Sequence, residues 1–328
     1  MIDLSTTYMG IKLKNPIIIG SSGLTNSVEK IKKLEDNNAA AVVIKSLFEE
    51  QIIHESDVYG ENSSYYDYPE SHEYVKFYSK EYSVRNYLHL IQDAKKAVNI
   101  PVIASINCVS ADEWITFAKK IEEAGADALE LNISLLPSDE KNDSATNEKK
   151  YFNVSKKVRS QINIPIALKM CKYSSGLANL IQKLSWTKNV DSFVLFNRFY
   201  SPDINIDKFK ITSSNVFSSP QELTTSLRWI ALLSPKIKND LVASTGIHDG
   251  KGVVKQILAG AKTVQIVSAI YQKGPEFILT MLKDIEEWMT KNNFSGLDEF
   301  RSKMSSAEVK NPAAFERTQF MKYFGGIE

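Results

Sequence analysis

The C-terminal third of the sequence contains two strand-like runs with a helix-like run between them. The strand-like runs read Leu241-Val-Ala-Ser-Thr-Gly246 and Val264-Gln-Ile-Val-Ser-Ala269, and residues 252–259 lie between them. Mostly apolar runs of this length are typical of parallel strands that are covered on both faces. This part of the chain therefore predicts a strand–helix–strand unit with parallel strands.

The same alternation extends over the whole chain. Strand-like runs occupy residues 17–20, 41–46, 102–107, 128–134, 166–170, 193–197, 241–246 and 264–269. Helix-like runs occupy residues 28–37, 111–124, 148–161, 176–183, 221–233, 252–259 and 275–291. Eight parallel strands are the number that closes a (β/α)8 (TIM) barrel. The sequence predicts one α/β barrel domain over residues 1–328, preceded by a β-hairpin at residues 4–14 that turns at Gly10 and closes the barrel bottom.

Three segments that follow predicted strands are long. They are residues 47–82, 135–147 and 198–220, after the second, fourth and sixth strands. All three follow the carboxyl ends of strands, which is the end where barrels carry their chemistry. The first segment is rich in tyrosine, which favours packing over disorder. We therefore expect the functional site among these loops.

The composition excludes several classes of partner. The 328 residues include 40 basic and 39 acidic ones, so the net charge of +1 gives no electrostatic case for nucleic acid or an anionic membrane. Two cysteines are too few for a disulfide framework or a structural zinc site. No signal peptide and no apolar stretch of membrane-spanning length is visible. The expectation is a cytoplasmic protein without a bound metal.

Polar residues at predicted strand ends indicate a site. The glycines of Thr245-Gly-Ile-His-Asp-Gly250 suit either a phosphate-binding turn or a tight turn alone. Lys45 and Lys169 end apolar strands, where each lysine either reaches solvent or faces an anionic ligand. Because Asn132 and Asn197 also stand at strand ends, convergence on one rim is the better interpretation.

These motifs together resemble the dihydroorotate dehydrogenase family. The resemblance is carried in order by Asn15-Pro-Ile-Ile-Ile-Gly-Ser-Ser-Gly23, Lys45-Ser46, Glu130-Leu-Asn-Ile-Ser134, Ile164-Pro-Ile-Ala-Leu-Lys169, Asn197 and Leu258-Ala-Gly-Ala261. It implies a bound FMN and hydride transfer from dihydroorotate or a related small anion. The chain has no long amphipathic N-terminal extension, so it resembles the soluble class.

The resemblance also assigns residues. The implied catalytic residues are Lys45, Asn132, Lys169 and Ser134. The implied cofactor-binding residues are Ser21, Ser22, Gly23, Lys45, Ser46, Asn132, Lys169, Asn197, Thr245, Gly246, Gly260, Val267 and Ser268. Asn197 and Arg198 are the expected substrate-binding residues, although Arg198 could instead pair with Asp203 or Asp207.

The substrate half departs from the family pattern. The family's catalytic loop places its base at the fourth position of an Asn-x-Ser-Cys/Ser-Pro-Asn motif, and here that loop reads Asn132-Ile-Ser-Leu-Leu-Pro137. Leu135 cannot accept a proton. The family's Asn-x-x-Gly-Leu-x-Asn pattern is also missing after the second strand. Candidate replacements for the base are Ser134, Cys171, Tyr173, His54, His72 and His248.

Several functions remain open on the sequence. The leading hypothesis is an FMN-dependent oxidoreductase acting on CH–CH groups, in pyrimidine biosynthesis, as a homodimer. A dihydropyrimidine-dehydrogenase-like subunit with an iron–sulfur partner is a second, and the chain itself has no cysteine cluster for such a centre. A non-catalytic flavin-binding barrel is a third. A phosphate-binding aldolase or isomerase that uses Lys169 as a Schiff base is a fourth.

Overall fold

A computed structural model describes residues 2–48, 69–107 and 111–318. The chain begins with an antiparallel hairpin of β1 (Thr6–Tyr8) and β2 (Ile11–Leu13). Gly10 takes a φ of +80° at its turn, a backbone conformation that suits glycine. This confirms the predicted N-terminal hairpin.

Eight parallel strands form a closed barrel. They are β3 (Ile17–Ile19), β4 (Ala41–Val43), β6 (Val102–Asn107), β7 (Ala128–Asn132), β8 (Ile166–Met170), β9 (Ser192–Leu195), β12 (Asp240–Ser244) and β13 (Thr263–Ile266). Each pairs with the strand before and after it, and β13 pairs with β3 to close the ring. The predicted (β/α)8 barrel is confirmed. The short β5 (Leu47–Phe48) continues the second barrel strand beside β6.

Helices follow the barrel strands and cover them. They are α1 (Val28–Asp36), α2 (Pro69–Ala97), α3 (Ala111–Glu123), α4 (Ser144–Arg159), α5 (Leu177–Trp186), α6 (Leu223–Leu233), α7 (Gly250–Ala259), α8 (Ser268–Lys273), α9 (Phe277–Lys291) and α10 (Ala313–Glu316). Short 3-10 turns lie at Gly23–Thr25, Pro220–Glu222 and Leu297–Glu299. Within the described ranges, no helix is long and apolar enough to cross a membrane.

Two of the predicted loops contain regular structure. Helix α2 begins inside the segment predicted as a loop over residues 47–82. Its described half buries Val84, Tyr87, Ile91 and Ala94, which is the spacing of one helix face. The segment 198–220 contains a second hairpin, β10 (Ser201–Asn205) and β11 (Lys210–Ser214). Residues 135–143 lie outside the helices and strands, as predicted.

The barrel interior is layered. Near the amino ends of the strands, alternate residues such as Ile18, Val43, Ile103 and Val242 fill the interior with apolar side chains. The first hairpin packs against this layer with Tyr8, Met9 and Leu13, and the Met9 N–H donates to the Asp240 carboxylate at 2.7 Å. The hairpin therefore closes the bottom of the barrel, which leaves the carboxyl end for a site.

Candidate active site

The layer above the apolar one is polar. Glu130 of β7 and Lys169 of β8 follow the apolar residues Ala128 and Ala167 by two positions, so they lie on the same inward strand faces. Gln265 of β13 faces them across the barrel. The Lys169 Nζ lies 3.5 Å from Glu130 Oε1 and 3.4 Å from Gln265 Oε1. The Gln265 amide donates to Glu130 Oε2 at 2.5 Å. Three strands thus supply one buried charged cluster.

Lys169 and Glu130 are nearly sealed from solvent, with exposures of 8% and 1%. A buried ammonium without a partner would cost several kcal/mol, so the pairing with Glu130 explains how Lys169 remains in the barrel. Glu130 Oε1 accepts no hydrogen bond within the described structure. Its ion pair with Lys169 is therefore the main interaction that offsets the cost of burying this oxygen. The lysine consequently presents a fixed charge toward the barrel mouth.

A cavity of about 230 Å³ opens above this cluster. Lys169 and Gln265 form its floor, and its walls come from the loops that follow several strands. Eight of the residues predicted for the site line it, namely Ser21, Lys169, Asn197, Arg198, Thr245, Gly246, Val267 and Ser268. A second cavity of about 140 Å³ adjoins it and shares Asn197, Arg198 and Thr245. The structure therefore brings most of the predicted site together.

One end of the cavity is rich in backbone polar groups. Thr245 and Gly246 both take positive φ, +77° and +79°. Two successive residues with positive φ make a sharp turn after β12, where glycine lets the backbone come close to its neighbours. Val267 and Ser268 start α8 opposite this turn, and the first N–H groups of a helix have no partner within it. This end suits a phosphate.

Ser218 joins the parts of this end. Its N–H donates to Ser268 Oγ at 3.0 Å, and its own Oγ accepts from the Gly246 N–H at 3.4 Å. The same Oγ lies 3.1 Å from His248 Nε2. Burial lowers the pKa of His248, and the charge of Lys273 lowers it further. His248 thus supports the turn through its contact with Ser218.

The serines after the first two barrel strands form a chain of hydrogen bonds. The Ser46 N–H donates to Ser21 Oγ at 2.7 Å, and the Ser46 hydroxyl lies 2.7 Å from that of Ser105. Ser21 lines the cavity and Ser46 is buried behind it. Ser46 therefore orients Ser21 within the described structure.

Ser22 and Gly23 have local roles. Ser22 caps the turn at Gly23–Thr25, since its Oγ accepts from the Leu24 N–H at 3.3 Å. A Cβ on Gly23 would lie 2.6 Å from the Tyr271 hydroxyl, so only glycine fits there without movement. Neither Ser22 nor Gly23 is among the described residues that line the larger cavity. Lys45 is half-buried at the end of the second strand. Their contact with a cofactor stays a prediction.

Gly260 lies away from the other predicted residues. It ends α7 with a φ of +119° and leads into the amino end of β13. A Cβ there would lie 2.3 Å from the Ser234 Cβ, so the glycine allows a close packing contact. The phosphate-binding role expected for Gly260 does not agree with this position, because the cavity is at the other end of the barrel.

The loop after β7 carries polar residues but no base at position 135. Ser134 donates to Asn132 Oδ1 at 3.1 Å and accepts from the Asn197 amide. This connects the ends of two barrel strands in front of Lys169. Leu135 packs partly against the core. A hydrocarbon side chain at this position binds no proton, and Ser134 is the hydroxyl beside it in sequence.

Arg198 is held by its own surroundings. Its guanidinium donates to Glu222 at 3.1 Å and to the carbonyls of residues 215, 216 and 217. The predicted alternative partners, Asp203 and Asp207, are not its partners, and Glu222 pairs with it instead. With four donor contacts made, Arg198 anchors the segment that leads to Ser218. Substrate binding by Arg198 stays a prediction.

Of the other candidate bases, Tyr173 lines the smaller cavity, Cys171 lines neither of the two cavities, and the rest lie outside the described residues. Cys171 is buried, with Sγ 3.1 Å from the Leu135 carbonyl and 3.3 Å from the Tyr151 hydroxyl. It acts as a small packed residue toward α4. Tyr173 stacks on Phe199 at the rim. His54 and the side chain of His72 lie outside the described residues.

Sequence reasoning missed three residues of the site. Glu130 and Gln265 were present in quoted motifs but received no role, and Ser218 was not considered. A signal existed for the first two, because each is a polar residue at an inward position of an otherwise apolar strand. Ser218 gave no such signal, since its contacts join segments that are distant in sequence.

Comparison with known proteins agrees with this geometry. The family model described as dihydroorotate dehydrogenase matches residues 80–289. A (β/α)8 barrel with a charged site at the carboxyl ends of its strands is an architecture that many enzyme families share. The sequence match identifies which of these families the chain belongs to. The chain belongs to the dihydroorotate dehydrogenase family, whose members are oxidoreductases.

Relatives match over most of their length. A protein from Thermoplasma volcanium is 28% identical over 307 residues, covering 91% of this chain and 97% of the relative. A protein from Thermoplasma acidophilum is 26% identical and covers 91% and 98%. One from Methanocaldococcus jannaschii is 24% identical and covers 89% and 95%. Each of these relatives is named dihydroorotate dehydrogenase B (NAD(+)), catalytic subunit.

Proposed function

We propose that this chain is an FMN-dependent oxidoreductase that takes a hydride from dihydroorotate or a related small anion. The observation that carries the proposal is a single cavity with Lys169 on its floor and the Gly246 and Ser268 backbone at one end. Such a cavity offers a fixed cation for a ring edge and N–H groups for a phosphate. FMN has both matching groups, a ring edge that becomes negatively charged on reduction and a phosphate.

The described residues fit that cofactor. Lys169, 8% exposed and held by Glu130, would face the electron-poor edge of the ring, where a cation stabilises the reduced form. Gly246, Val267 and Ser268 would hold the phosphate. Ser21, oriented by Ser46, would contact the ring from the first strand. FMN, when bound, supplies the acceptor for the hydride.

The chain's own residues then hold the substrate and manage the proton. Asn132, Ser134 and Asn197 form a connected polar edge beside Lys169 and would bind a substrate carbonyl or carboxylate. The proton that leaves as hydride transfers has no acceptor at Leu135. A missing general base typically lowers a rate by about 10²–10⁴-fold. We therefore propose slow oxidation of dihydroorotate, or a substrate whose proton leaves to solvent or to Ser134.

The chain acts, in this proposal, as one part of a larger enzyme. The names of its relatives describe a catalytic subunit and NAD⁺. We propose by analogy that a second protein receives the electrons from this chain. The chain itself supplies the hydride-accepting site.

The experiment is an anaerobic visible spectrum of the FMN-loaded protein before and after addition of dihydroorotate. Slow bleaching of the flavin absorbance is expected for the natural chain. Leu135→Cys should speed the bleaching by about tenfold or more, because it restores a group that can take a proton. Leu136→Cys, at an exposed neighbouring position, is the matched control and should leave the rate unchanged.

The opposite results are equally clear. If neither the natural chain nor Leu135→Cys bleaches, dihydroorotate is rejected as the substrate. The proposed cofactor site is not affected by that result. Rapid bleaching by the natural chain, unchanged by Leu135→Cys, would show that another residue is the base.

A further inference from the structure

Glu130 is a buried carboxylate whose charge the proposed function does not use. Among the residues that the structure describes, Glu130 and Lys169 are the only charged side chains that are buried. They stand on the neighbouring strands β7 and β8, with the Lys169 Nζ 3.5 Å from Glu130 Oε1. The layer below them in the barrel is apolar. The two side chains therefore form an isolated pair of opposite charges with no net charge.

Holding a lysine at this position does not require a carboxylate. The neutral Gln265 already places its Oε1 3.4 Å from the Lys169 Nζ. Removing two charges from water costs about as much as their attraction returns, so a buried ion pair is a weak source of stability. The negative charge of Glu130 is better explained by its effect on what binds above Lys169.

Glu130 acts on the cavity from behind. Lys169 and Gln265 line the larger cavity, whereas Glu130 is not among the described residues that line either cavity. The Gln265 amide donates to Glu130 Oε2 at 2.5 Å and so fixes the carboxylate in place. Charges interact over longer distances in a protein interior than in water. Burial raises the pKa of Tyr8, and the charge of Glu130 raises it further, so the carboxylate also acts on the layer below.

We propose that Glu130 is a positioning residue that limits how strongly Lys169 stabilises reduced FMN, and thereby sets the reduction potential of the bound flavin. This inference rests on the proposed function, because it requires FMN above Lys169. Reduction adds two electrons and one proton to FMN, so the ring gains one negative charge. Lys169 favours that charge and Glu130 opposes it. Their balance lets the reduced flavin pass its electrons on to the next acceptor.

The test measures the reduction potential of FMN bound to the full chain, by anaerobic equilibrium with a reference dye of known potential. Glu130→Gln keeps the shape of the side chain and an acceptor oxygen but removes the charge. It should raise the potential by about 30 mV or more, which corresponds to about tenfold in the affinity for reduced relative to oxidised FMN. Glu123→Gln removes the same charge from an exposed position on α3 and should leave the potential unchanged.

The potential separates an effect of charge from a purely structural role. If Glu130 only holds Lys169 in shape, Glu130→Gln should weaken the binding of oxidised and reduced FMN equally, and fluorescence titration would show the weaker binding at an unchanged potential. An unchanged or lower potential in Glu130→Gln would therefore overturn the proposal, as would an equal rise in Glu123→Gln.

The natural protein gives a second test if Glu130→Gln does not fold. Because the ion pair has no net charge, the potential of FMN bound to the natural chain should lie within about 30 mV of that of free FMN. A potential far above that of free FMN would overturn the proposal. A natural chain that retains no FMN would overturn this inference and the proposed function together. Absence of bleaching by dihydroorotate would count against the proposed substrate alone, since the dye measurement needs no substrate.

Discussion

A buried lysine at the end of a barrel strand has to be matched by charge, and Glu130 matches Lys169. Lys169→Met should weaken FMN binding by about 10–100-fold, since a hydrogen bond to a charged group contributes about 1.5–3 kcal/mol. Lys172→Met, on the exposed rim beside Tyr173, serves as the control. Fluorescence titration with FMN measures both dissociation constants. Equal affinities in the two variants would remove Lys169 from the cofactor site.

His248 makes a prediction about pH. Burial lowers its pKa below the usual 6.5, so the folded protein prefers the neutral ring. As pH falls below about 6.5, the unfolded chain binds the proton more readily and stability decreases until the lower folded pKa is passed. His248→Gln removes this titration while keeping an acceptor for the Ser218 hydroxyl. Urea unfolding at neutral and mildly acidic pH should show a smaller loss for the variant. An identical loss would reject the role of His248.

The turn after β12 is an element whose shape depends on glycine. Gly246 has a φ of +79°, and a Cβ there would lie 2.1 Å from the Leu223 backbone nitrogen. Gly246→Ala should therefore cost about 2–5 kcal/mol of unfolding free energy, from strain and overpacking together. Gly10 has nearly the same φ, +80°, but nothing within 4 Å of its Cβ position. Gly10→Ala should cost only about 1–2 kcal/mol.

Denaturant midpoints of the two alanine variants test this comparison. Equal midpoints would mean that backbone conformation alone, and not the contact with Leu223, determines the cost at Gly246.

At the level of elements, apolar strand runs were sufficient to predict every barrel strand and the first hairpin. The helix at Pro69–Ala97 was missed although Val84, Tyr87, Ile91 and Ala94 carry helical spacing, because the tyrosine-rich residues before it suggested a loop. The hairpin β10–β11 was missed because its apolar residues face solvent in one chain, and burial is the signal by which strands are recognised.

At the level of the site, position along the strands predicted Lys169, Asn197 and Gly246 in one cavity. The pairing of Lys169 with Glu130 and Gln265 depends on which strands become neighbours, which no local pattern contains. Arg198 was expected to bind substrate or to pair with Asp203 or Asp207. Its partners in the structure are Glu222 and three carbonyls, and substrate binding stays a prediction. Long charged side chains can reach many partners, so sequence alone does not select one.

For the molecule as a whole, the first hairpin closes the barrel at the end opposite the site. Tyr8 is fully buried against the barrel interior. Tyr8→Ala should lower the unfolding free energy by about 3–5 kcal/mol, the usual cost of removing a large buried side chain. FMN affinity should change less than stability, because Tyr8 packs in the apolar layer below Lys169 and does not line the cavity. Full stability of Tyr8→Ala would contradict the stabilising role of the first hairpin. Loss of FMN without loss of stability would contradict the separation of this hairpin from the cofactor site.

The central claim is that the cavity above Lys169 holds FMN. The most direct measurement is the visible spectrum of the full chain after incubation with FMN and removal of the free cofactor. We expect a flavin spectrum at one FMN per chain, with less FMN retained by Lys169→Met. A colourless protein that retains no added FMN would contradict the claim.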